Sequence, residues 1–246
     1  GCTEFSFANG VFIFNTTHFT TFAANETPAP PSNCSLINES TTLRNGVNIS
    51  GGSCFEINAS NIVINCKGFN ITSNLAGTFG INLTSSSEIN LSNITVKNCN
   101  IVNFSVGMQI NYSTNLSLIN ITFINVDTGF EINNSNNITI FNSSVLNVNW
   151  SIKSVNANIT IIDTVWQSNY SLKNVIPNII KTNTAGIQFL QAVTANGTNF
   201  SKDINVSINK TFVNTSRSRG LNVSATITLF GLNGLINPQA IVDFDD

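Results

Sequence analysis

Residues 130–141 read Phe-Glu-Ile-Asn-Asn-Ser-Asn-Asn-Ile-Thr-Ile-Phe, and this phrase occurs in five copies, with small changes, between Ser53 and Asn169. In each copy aliphatic residues alternate with Asn, Ser and Thr, which is the period of a β-strand that has one buried and one exposed face. No window of this stretch keeps the i, i+3, i+4, i+7 apolar spacing of an amphipathic helix. Short strands repeated in a fixed order predict a solenoid built from strands.

One aliphatic position in the first strand and one in the second strand of each copy define how the copies are predicted to align. The copies lie 20–29 residues apart and hold two or three strands each, which is typical of one turn of a parallel β-helix. An antiparallel sandwich is the alternative fold, but it does not explain the fixed order of motifs. The first strands are marked by Ile57, Ile81, Ile110, Ile132 and Ile152, and the second strands by Ile62, Ile89, Leu116, Ile138 and Ile159.

Composition limits the functional classes. Of the 246 residues, 41% are hydrophobic and only 9% are charged, and the net charge is −2. This charge gives no basis for binding nucleic acid or an anionic membrane surface. No apolar stretch reaches the about 18 residues that a membrane-spanning helix needs. We therefore predict no nucleic-acid partner and no membrane insertion.

The chain divides into four predicted segments, all of them β or extended. Residues 1–25 are strands of a β-sandwich, in which Asn9-Gly10 predicts a hairpin and residues 18–22 a third strand. Residues 26–33 form a Pro-rich linker, and residues 34–186 form the parallel β-helix with an N-terminal cap. Residues 187–246 change to longer strands separated by turns, and they predict the other portion of an antiparallel β-sandwich.

The two chain ends are complementary in pattern. Asp246 followed by Gly1 would make a turn dipeptide between two alternating strands. The first 25 and the last 60 residues would then complete one sandwich, either within a tandem array or between subunits joined by β-strand complementation. Both arrangements give an open head-to-tail polymer, and a boundary trimmed at an arbitrary place is the remaining alternative. The predicted junction residues are Phe5, Phe7, Phe12, Phe14, Phe19, Phe22, Ile227, Leu229, Ile241 and Phe244.

Asn-x-Ser/Thr sequons occur along the whole chain, and two explanations stay open. A chain rich in Asn, Ser and Thr produces sequons by chance, or the protein is exported and its N-glycans replace charge as the source of solubility. Asn also tolerates positive φ and forms side-chain ladders, and a sequon whose Asn points inward cannot carry sugar. The candidate glycosylation sites are Asn15, Asn25, Asn38, Asn48, Asn70, Asn90, Asn103, Asn115, Asn142, Asn149, Asn169, Asn196, Asn205, Asn209 and Asn214.

The five cysteines predict disulfides and therefore an oxidising, extracellular compartment. Cys34 and Cys54 flank the cap and are the preferred pair. Cys66 and Cys99 each follow an Asn at a strand end, so they form a possible second pair in adjacent coils, and Cys54–Cys66 is the rival pairing. Cys2 is left over and is either buried or bonded to a neighbouring molecule.

No constellation for catalysis or cofactor binding is found, so we predict no enzyme, no metal and no cofactor. The one histidine, His18, lies in a different segment from the coils, which argues against a nucleophile–histidine arrangement. Glu56 and Glu131 occupy equivalent positions with Gln109 between them, as an exposed column. The remaining charged candidates are either thinly spread or better explained as solvated: Lys67, Lys97, Lys153, Lys173, Asp243, Asp245 and Asp246.

The run Cys54–Ile71 resembles the first coil of right-handed parallel β-helix (pectin-lyase-like) surface proteins of archaea. The runs Leu221–Phe230 and Asn15–Phe22 resemble a small β module that follows such helices there. In that family the two runs are consecutive, whereas here they lie at opposite ends, and the family often has two cysteines in this module where only Cys2 is present. The resemblance covers most of the chain and implies a right-handed β-helix with an adjoining small β-sandwich.

We therefore expect a non-enzymatic, extracellular structural glycoprotein of the cell surface. It would be the repeating unit of a head-to-tail filament or sheath, and its partners would be copies of itself and covalent N-glycans. The alternative is a carbohydrate-binding adhesin or a carbohydrate-active β-helix protein. An exposed aromatic groove would favour that alternative, and Trp150 and Trp166 are the candidates.

Overall fold

The computed structural model describes residues 2–8, 11–16, 33–85, 90–208 and 210–232, with the backbone alone in 2–8, 11–16 and 75–77. Nearly all regular structure is β, with one four-residue helix α1 (Phe200–Asp203) and a 3₁₀ turn at Arg219–Leu221. The strands are β1 (Cys2–Ala8), β2 (Val11–Thr16), β3 (Leu36–Ile37), β4 (Thr41–Thr42), β5 (Val47–Ser50), β6 (Phe55–Ile57), β7 (Val63–Asn65), β8 (Asn70–Thr84), β9 (Leu91–Asn111), β10 (Ser113–Ile124), β11 (Thr128–Phe141), β12 (Ser144–Leu146), β13 (Trp150–Ile162), β14 (Asn169–Lys181), β15 (Ala185–Phe189), β16 (Val193–Gly197), β17 (Ile204–Ser207), β18 (Lys210–Val213) and β19 (Ala225–Leu229).

Strands β3 to β14 wind into a parallel β-solenoid of about six turns. Each turn has three sides. The first side stacks β3, β6, β8, β9, β11, β13 and β14, and the second stacks β4, β7, β9, β10, β11, β13 and β14. The third stacks β5, β8, β9, β10 and β12. The parallel pairings confirm the predicted β-helix and exclude the antiparallel sandwich for this part of the chain.

The interior is a set of aliphatic columns that run along the solenoid axis. One column on the second side holds Ile64, Val96, Leu118, Ile140 and Ile161 in register, and each is at most 2% exposed. Burying such a side chain contributes roughly 1.5–3 kcal/mol relative to leaving it in water. Alternate residues on these strands face solvent, so the predicted in-and-out pattern is confirmed.

The predicted register is correct in the later turns of the second side and wrong in several places on the first. Ile81 pairs with Phe55 and Met108, not with Ile57 and Ile110, and Ile152 pairs with Phe130, not Ile132. Each error is two residues, because alternation fixes which face a residue occupies but not its position along the strand.

The second side shows the same limit at one step. Leu116 pairs with Ile138 and Ile138 with Ile159, as predicted, but the preceding partner of Leu116 is Ile94. Ile89, which the sequence predicted for that place, lies outside the described residues.

The corners between the sides are turned by residues in the left-handed region. Of 17 non-glycine residues with positive φ in the described part, 14 are asparagine. Asparagine reaches this region more readily than other residues that carry a Cβ. Between the first and second sides, for example, Asn61, Asn93, Asn115 and Asn137 stand in successive turns with φ from 53° to 61°. The high asparagine content of the coils therefore follows from the geometry of their corners.

A column of glycines makes room for an aromatic side chain inside the solenoid. Gly80, Gly107 and Gly129 follow one another in register on the first side. A Cβ on Gly107 would lie 2.3 Å from two carbons of the Phe123 ring and 2.9 Å from the Gly129 carbonyl oxygen. Phe123 packs edge-on against Phe130 with ring centroids 4.7 Å apart. The missing side chains thus define the space that these two rings fill.

The ends of the solenoid differ. At the N-terminal end, where the sequence predicted a cap, the short strands β3, β4 and β5 form the first turn of the solenoid. At the C-terminal end β15 and β16 pair antiparallel with β14, and β19 pairs antiparallel with β15. Pro177 occupies β14 between the stretches that pair with β16 and β15, where it interrupts no described antiparallel pair.

The strands predicted between residues 187 and 230 are present, and most of the described strands there extend the solenoid sheet. A separate sandwich is not confirmed. β15, β16 and β19 belong to the 15-stranded sheet, and β17 and β18 form a two-stranded sheet of their own. The linker at 26–32 and the strands predicted at 18–22 and 240–244 lie outside the described residues. The strands β1 and β2 on either side of the predicted turn pair antiparallel, with Ala8 opposite Val11, whereas Asn9 and Gly10 themselves lie outside the described residues.

The glycine column gives a direct test of core packing. We expect Gly107→Ala to lower the free energy of unfolding by about 1–3 kcal/mol, because the added methyl overlaps the Phe123 ring. Gly186→Ala is the matched control, since its Cβ would meet nothing closer than 3.5 Å. Denaturant unfolding of both variants measures the difference. Equal losses would contradict the packing described for Phe123.

Candidate functional site

The predicted column of polar side chains on the first side exists, with two more members, Asn82 and Lys153. Glu56, Asn82, Gln109 and Glu131 stand in register on successive turns, and Lys153 follows them. The Gln109 Nε2 donates to Glu131 Oε1 at 3.4 Å. At about 4.8 Å per turn the two carboxylates are about 14 Å apart, beyond the about 5–9.5 Å of a glycosidase acid pair. The column does not form an acid–base pair.

The charged groups near this column are engaged with one another. Lys153 Nζ lies 3.8 Å from Asp127 Oδ2 and 4.7 Å from the centre of the Trp150 ring. Asn149 Nδ2 donates to Asp127 Oδ1 at 2.8 Å. Both Lys153 and Asp127 are substantially exposed, so the pair contributes at most about 1 kcal/mol to stability. The cluster fastens neighbouring turns at one corner.

Within the described ranges there is no group of three or more His, Cys, Asp or Glu side chains arranged to hold a metal ion. A shallow, open depression on the later turns is lined mainly by asparagine amides, with no titratable side chain in its lining: Asn134, Asn136, Asn156, Asn158 and Asn174. His18, Asp243, Asp245 and Asp246 lie outside the described residues.

The two tryptophans have different environments. Trp166 is fully buried, with its ring centre 5.8 Å from that of Phe130 and 5.4 Å from that of Phe200. It fills the C-terminal end of the core and offers no surface to a sugar. Trp150 is half-buried, and Lys153 covers its ring. The tryptophans therefore do not form an exposed aromatic groove.

A buried polar cluster closes the C-terminal end of the solenoid. Asp203, on α1, is 1% exposed; its Oδ2 accepts a hydrogen bond from the Tyr170 hydroxyl at 3.1 Å, and its Oδ1 lies 3.3 Å from Arg217 Nη1. Asn199 caps α1 by accepting from the Lys202 N–H. Sequence analysis missed this cluster, because its three members are 14 to 47 positions apart and belong to no motif.

Both predicted disulfides are present. Cys34 and Cys54 have Cα atoms 4.4 Å apart, and Cys66 and Cys99 have Cα atoms 4.9 Å apart. The rival pairing Cys54–Cys66 does not form. Each bridge joins one turn to the next, and the two bridges together fasten the N-terminal turns. Structural disulfides of this kind indicate an oxidising environment such as the cell exterior.

No helix among the described residues is long and apolar enough to cross a membrane.

The asparagines of the predicted glycosylation sites reach solvent wherever their side chains are described. Asn38, Asn48, Asn70, Asn90, Asn103, Asn115, Asn142, Asn149, Asn196 and Asn205 are exposed, and Asn169 and Asn214 are half-buried. The side chains of Asn15, Asn25 and Asn209 are not described. Exposure alone therefore excludes none of the described glycosylation sites. The sites differ, however, in the hydrogen bonds that their side-chain amides make.

The predicted junction residues fall at two places. β19 is the last strand of the large sheet, and its outer edge has no partner among the described strands. On it Ile227 is 55% exposed and Leu229 is 36% exposed. Phe5, Phe7, Phe12 and Phe14 belong to the β1–β2 hairpin, which pairs with no other described strand, whereas Phe19, Phe22, Ile241 and Phe244 lie outside the described residues.

The buried cluster of Tyr170, Asp203 and Arg217 predicts a loss of stability at high pH. Burial, together with the adjacent Asp203 carboxylate, raises the pKa of Tyr170 to about 12 from its ordinary value near 10. Folding therefore favours the neutral phenol; this contribution is complete below pH 10 and is lost as the pH rises towards 12. We expect an extra slope of up to about 1.4 kcal/mol per pH unit in that window, absent in Tyr170→Phe, in denaturant unfolding from pH 9 to 12. The same slope in both proteins would contradict the assignment.

Comparison with protein-family models, with curated proteins and with solved structures finds no match to this chain.

Proposed function

We propose that this protein is a non-enzymatic structural glycoprotein of the cell surface, the repeating unit of a head-to-tail filament or sheath. Units are joined by β-strand complementation, or follow one another in a tandem array. In either case the strands of residues 1–25 complete a sandwich with the C-terminal strands of the preceding unit. The solenoid between the junctions acts as a rigid spacer.

One observation carries this proposal: among the described residues, a hairpin of two strands and a sheet edge without a partner strand occur in the same chain. The β1–β2 hairpin is a two-stranded sheet, and a lone hairpin is at best marginally stable in water. The outer edge of β19 has no described partner and presents Ile227, Leu229 and Phe230 at least 36% exposed. An exposed apolar edge is a ready template for another strand. A hairpin from the next unit supplies both the backbone partners and the apolar cover.

The coils support a structural role for the solenoid. Its described surface is dominated by Asn, Ser and Thr, and its few ion pairs link neighbouring turns. Stacked turns bury a continuous core while each contacts only its neighbours, which gives a stiff, elongated unit. N-glycans on exposed asparagines would supply the solubility that 9% charged residues do not. The two disulfides agree with function outside the cell.

The resemblance to archaeal pectin-lyase-like surface proteins is part of this proposal, and a parallel β-solenoid is the fold that this resemblance implies. The alternative, a sugar-binding adhesin or a carbohydrate-active β-helix, has less support. Trp166 is buried, and the carboxylates of Glu56 and Glu131 are three turns apart.

The proposal is tested by the assembly state of the full chain and of an edge variant. We expect the protein to form polymers visible by negative-stain electron microscopy and by light scattering. Ile227→Lys places a charge in the middle of the exposed β19 edge and should reduce polymer mass at least tenfold, since a charged residue on an edge strand opposes pairing.

Val165→Lys is the matched control. Val165 is 58% exposed, close to the 55% of Ile227, but it lies outside the strands of the sheet. This variant should polymerise like the unmodified chain. A stable 26.5 kDa monomer at high concentration, or equal assembly of all three proteins, would reject the proposed junction.

A further inference from the structure

The corner asparagines and the sequons share one geometric origin. In the triplets that begin at Asn93, Asn115, Asn120 and Asn137, the asparagine turns the corner with φ between 53° and 57°. The middle residue is an inward aliphatic, at most 1% exposed, and the third is an outward Ser or Thr. A corner asparagine that is followed by one inward aliphatic and one outward Ser or Thr therefore gives the pattern Asn-x-Ser/Thr without any need for glycosylation. Neither chance nor sugar is required to explain these four sequons.

The amide groups of these four asparagines are used inside the fold. Asn93 Nδ2 donates to Asn61 Oδ1 at 2.9 Å, Asn115 Nδ2 donates to Asn93 Oδ1, and Asn137 Nδ2 donates to Asn115 Oδ1 at 3.1 Å. At another corner Asn120 Nδ2 donates to Asn98 Oδ1 at 3.0 Å. These chains of hydrogen bonds, here called corner ladders, join one turn to the next.

Bulky groups do not fit on successive rungs of a corner ladder. Neighbouring turns are about 4.8 Å apart, so the amide nitrogens of Asn93, Asn115 and Asn137 follow one another at close to the thickness of a single strand. An N-glycan is bulky and hydrated. Attaching one to a rung would crowd the amides above and below it and remove a proton from the nitrogen that makes the ladder bond.

A second group of sequons has none of these constraints. Their asparagines are exposed, have no positive φ, and donate no side-chain hydrogen bond to another described residue. Two of them, Asn158 and Asn222, are sequons outside the predicted list of sites. The group consists of Asn38, Asn70, Asn90, Asn158, Asn196 and Asn222.

We propose that N-glycans are attached to this second group and are excluded from the corner-ladder sequons Asn93, Asn115, Asn120 and Asn137. In the attachment, the anomeric carbon of a sugar forms a bond to Nδ2. The bond from that carbon to the phosphate of a polyprenyl-linked oligosaccharide breaks, and Nδ2 releases one proton. The inference rests on the glycoprotein part of the proposed function. Under this inference Asn115 is removed from the predicted list of glycosylation sites, and the corner asparagines have a structural role instead.

Glycopeptide mass spectrometry of the exported full chain measures the occupancy of each sequon. We expect occupancy of most sites in the second group and less than about one-tenth at each of the four corner sites. Substantial occupancy at a corner site overturns the inference and leaves the glycoprotein proposal intact. A chain without sugar at any site overturns the assignment of the second group together with the glycoprotein proposal, but not the head-to-tail assembly.

A pair of substitutions separates the asparagine from its sequon. Asn115→Gln and Ser117→Ala both destroy the sequon at Asn115, but only Asn115→Gln removes the residue that turns the corner and forms the rung. We expect Asn115→Gln to lower the melting temperature by on the order of 5 °C, or to prevent folding, because a longer side chain at positive φ strains the corner. Ser117→Ala should stay within about 1 °C, since the Ser117 hydroxyl makes no described hydrogen bond.

Two controls complete this experiment. Asn115→Gly keeps the freedom to adopt positive φ and removes the side chain with its amide, so we expect a smaller loss than for Asn115→Gln. Asn158→Gln removes a sequon of the second group and should cost almost no stability. Equal effects of Asn115→Gln and Ser117→Ala, in protein made with or without glycosylation, would overturn the structural role of the corner asparagines.

Discussion

The structure depends on how a chain of L-amino acids turns a corner three times in every coil. Each corner needs a residue in the left-handed region, where most side chains with a Cβ clash with the backbone. This chain uses asparagine at 14 of the 17 such non-glycine positions that are described. Asparagine also lends its amide to the turn above or below, as Asn93 does to Asn61. Backbone preference and side-chain bonding thus act at the same residue.

Much of the rest follows from this constraint. Corners at regular places bring aliphatic residues such as Val96 and Leu118 into continuous columns, and leave Ser and Thr outside. Neutral polar residues occupy the outward positions, so the surface is polar although the chain has few charged residues. The two disulfides fasten the early turns, while a buried carboxylate, Asp203, is held by Tyr170 and Arg217 at the other end.

The sequence predicts the coil well because its pattern is local. Alternation identifies the strands, and the recurring phrase identifies their order, so the parallel solenoid and both disulfides could be predicted. The pairing of Ile81 with Phe55 and Met108 could not be predicted, because a two-residue shift of register leaves every side chain on the same face. The partners of β15 and β19 were missed for a different reason. An antiparallel strand that continues a sheet has the same local pattern as one in a separate sandwich.

The features of the candidate site also divide into those that a local sequence pattern shows and those that it does not. Exposed sequons and the apolar β19 edge are visible as residue types, whereas the glycine column beneath Phe123 and the Asp203 cluster depend on contacts between distant positions. The corner asparagines are intermediate. Asparagine as a residue type is able to adopt positive φ and to form side-chain ladders, but only the dihedral angles and the amide bonds distinguish Asn115 from a site such as Asn90.

The exchange of side-chain amide protons tests the account most directly. In protein made without glycosylation and labelled with nitrogen-15 at asparagine, we expect the hydrogen-bonded Nδ2 proton of Asn93, Asn115 and Asn137 to exchange with solvent on the order of tenfold more slowly than the Nδ2 protons of Asn38 and Asn90, as one retained hydrogen bond implies. Exchange at the same rate for both groups would contradict the claim that stacked asparagine amides hold the corners of the solenoid.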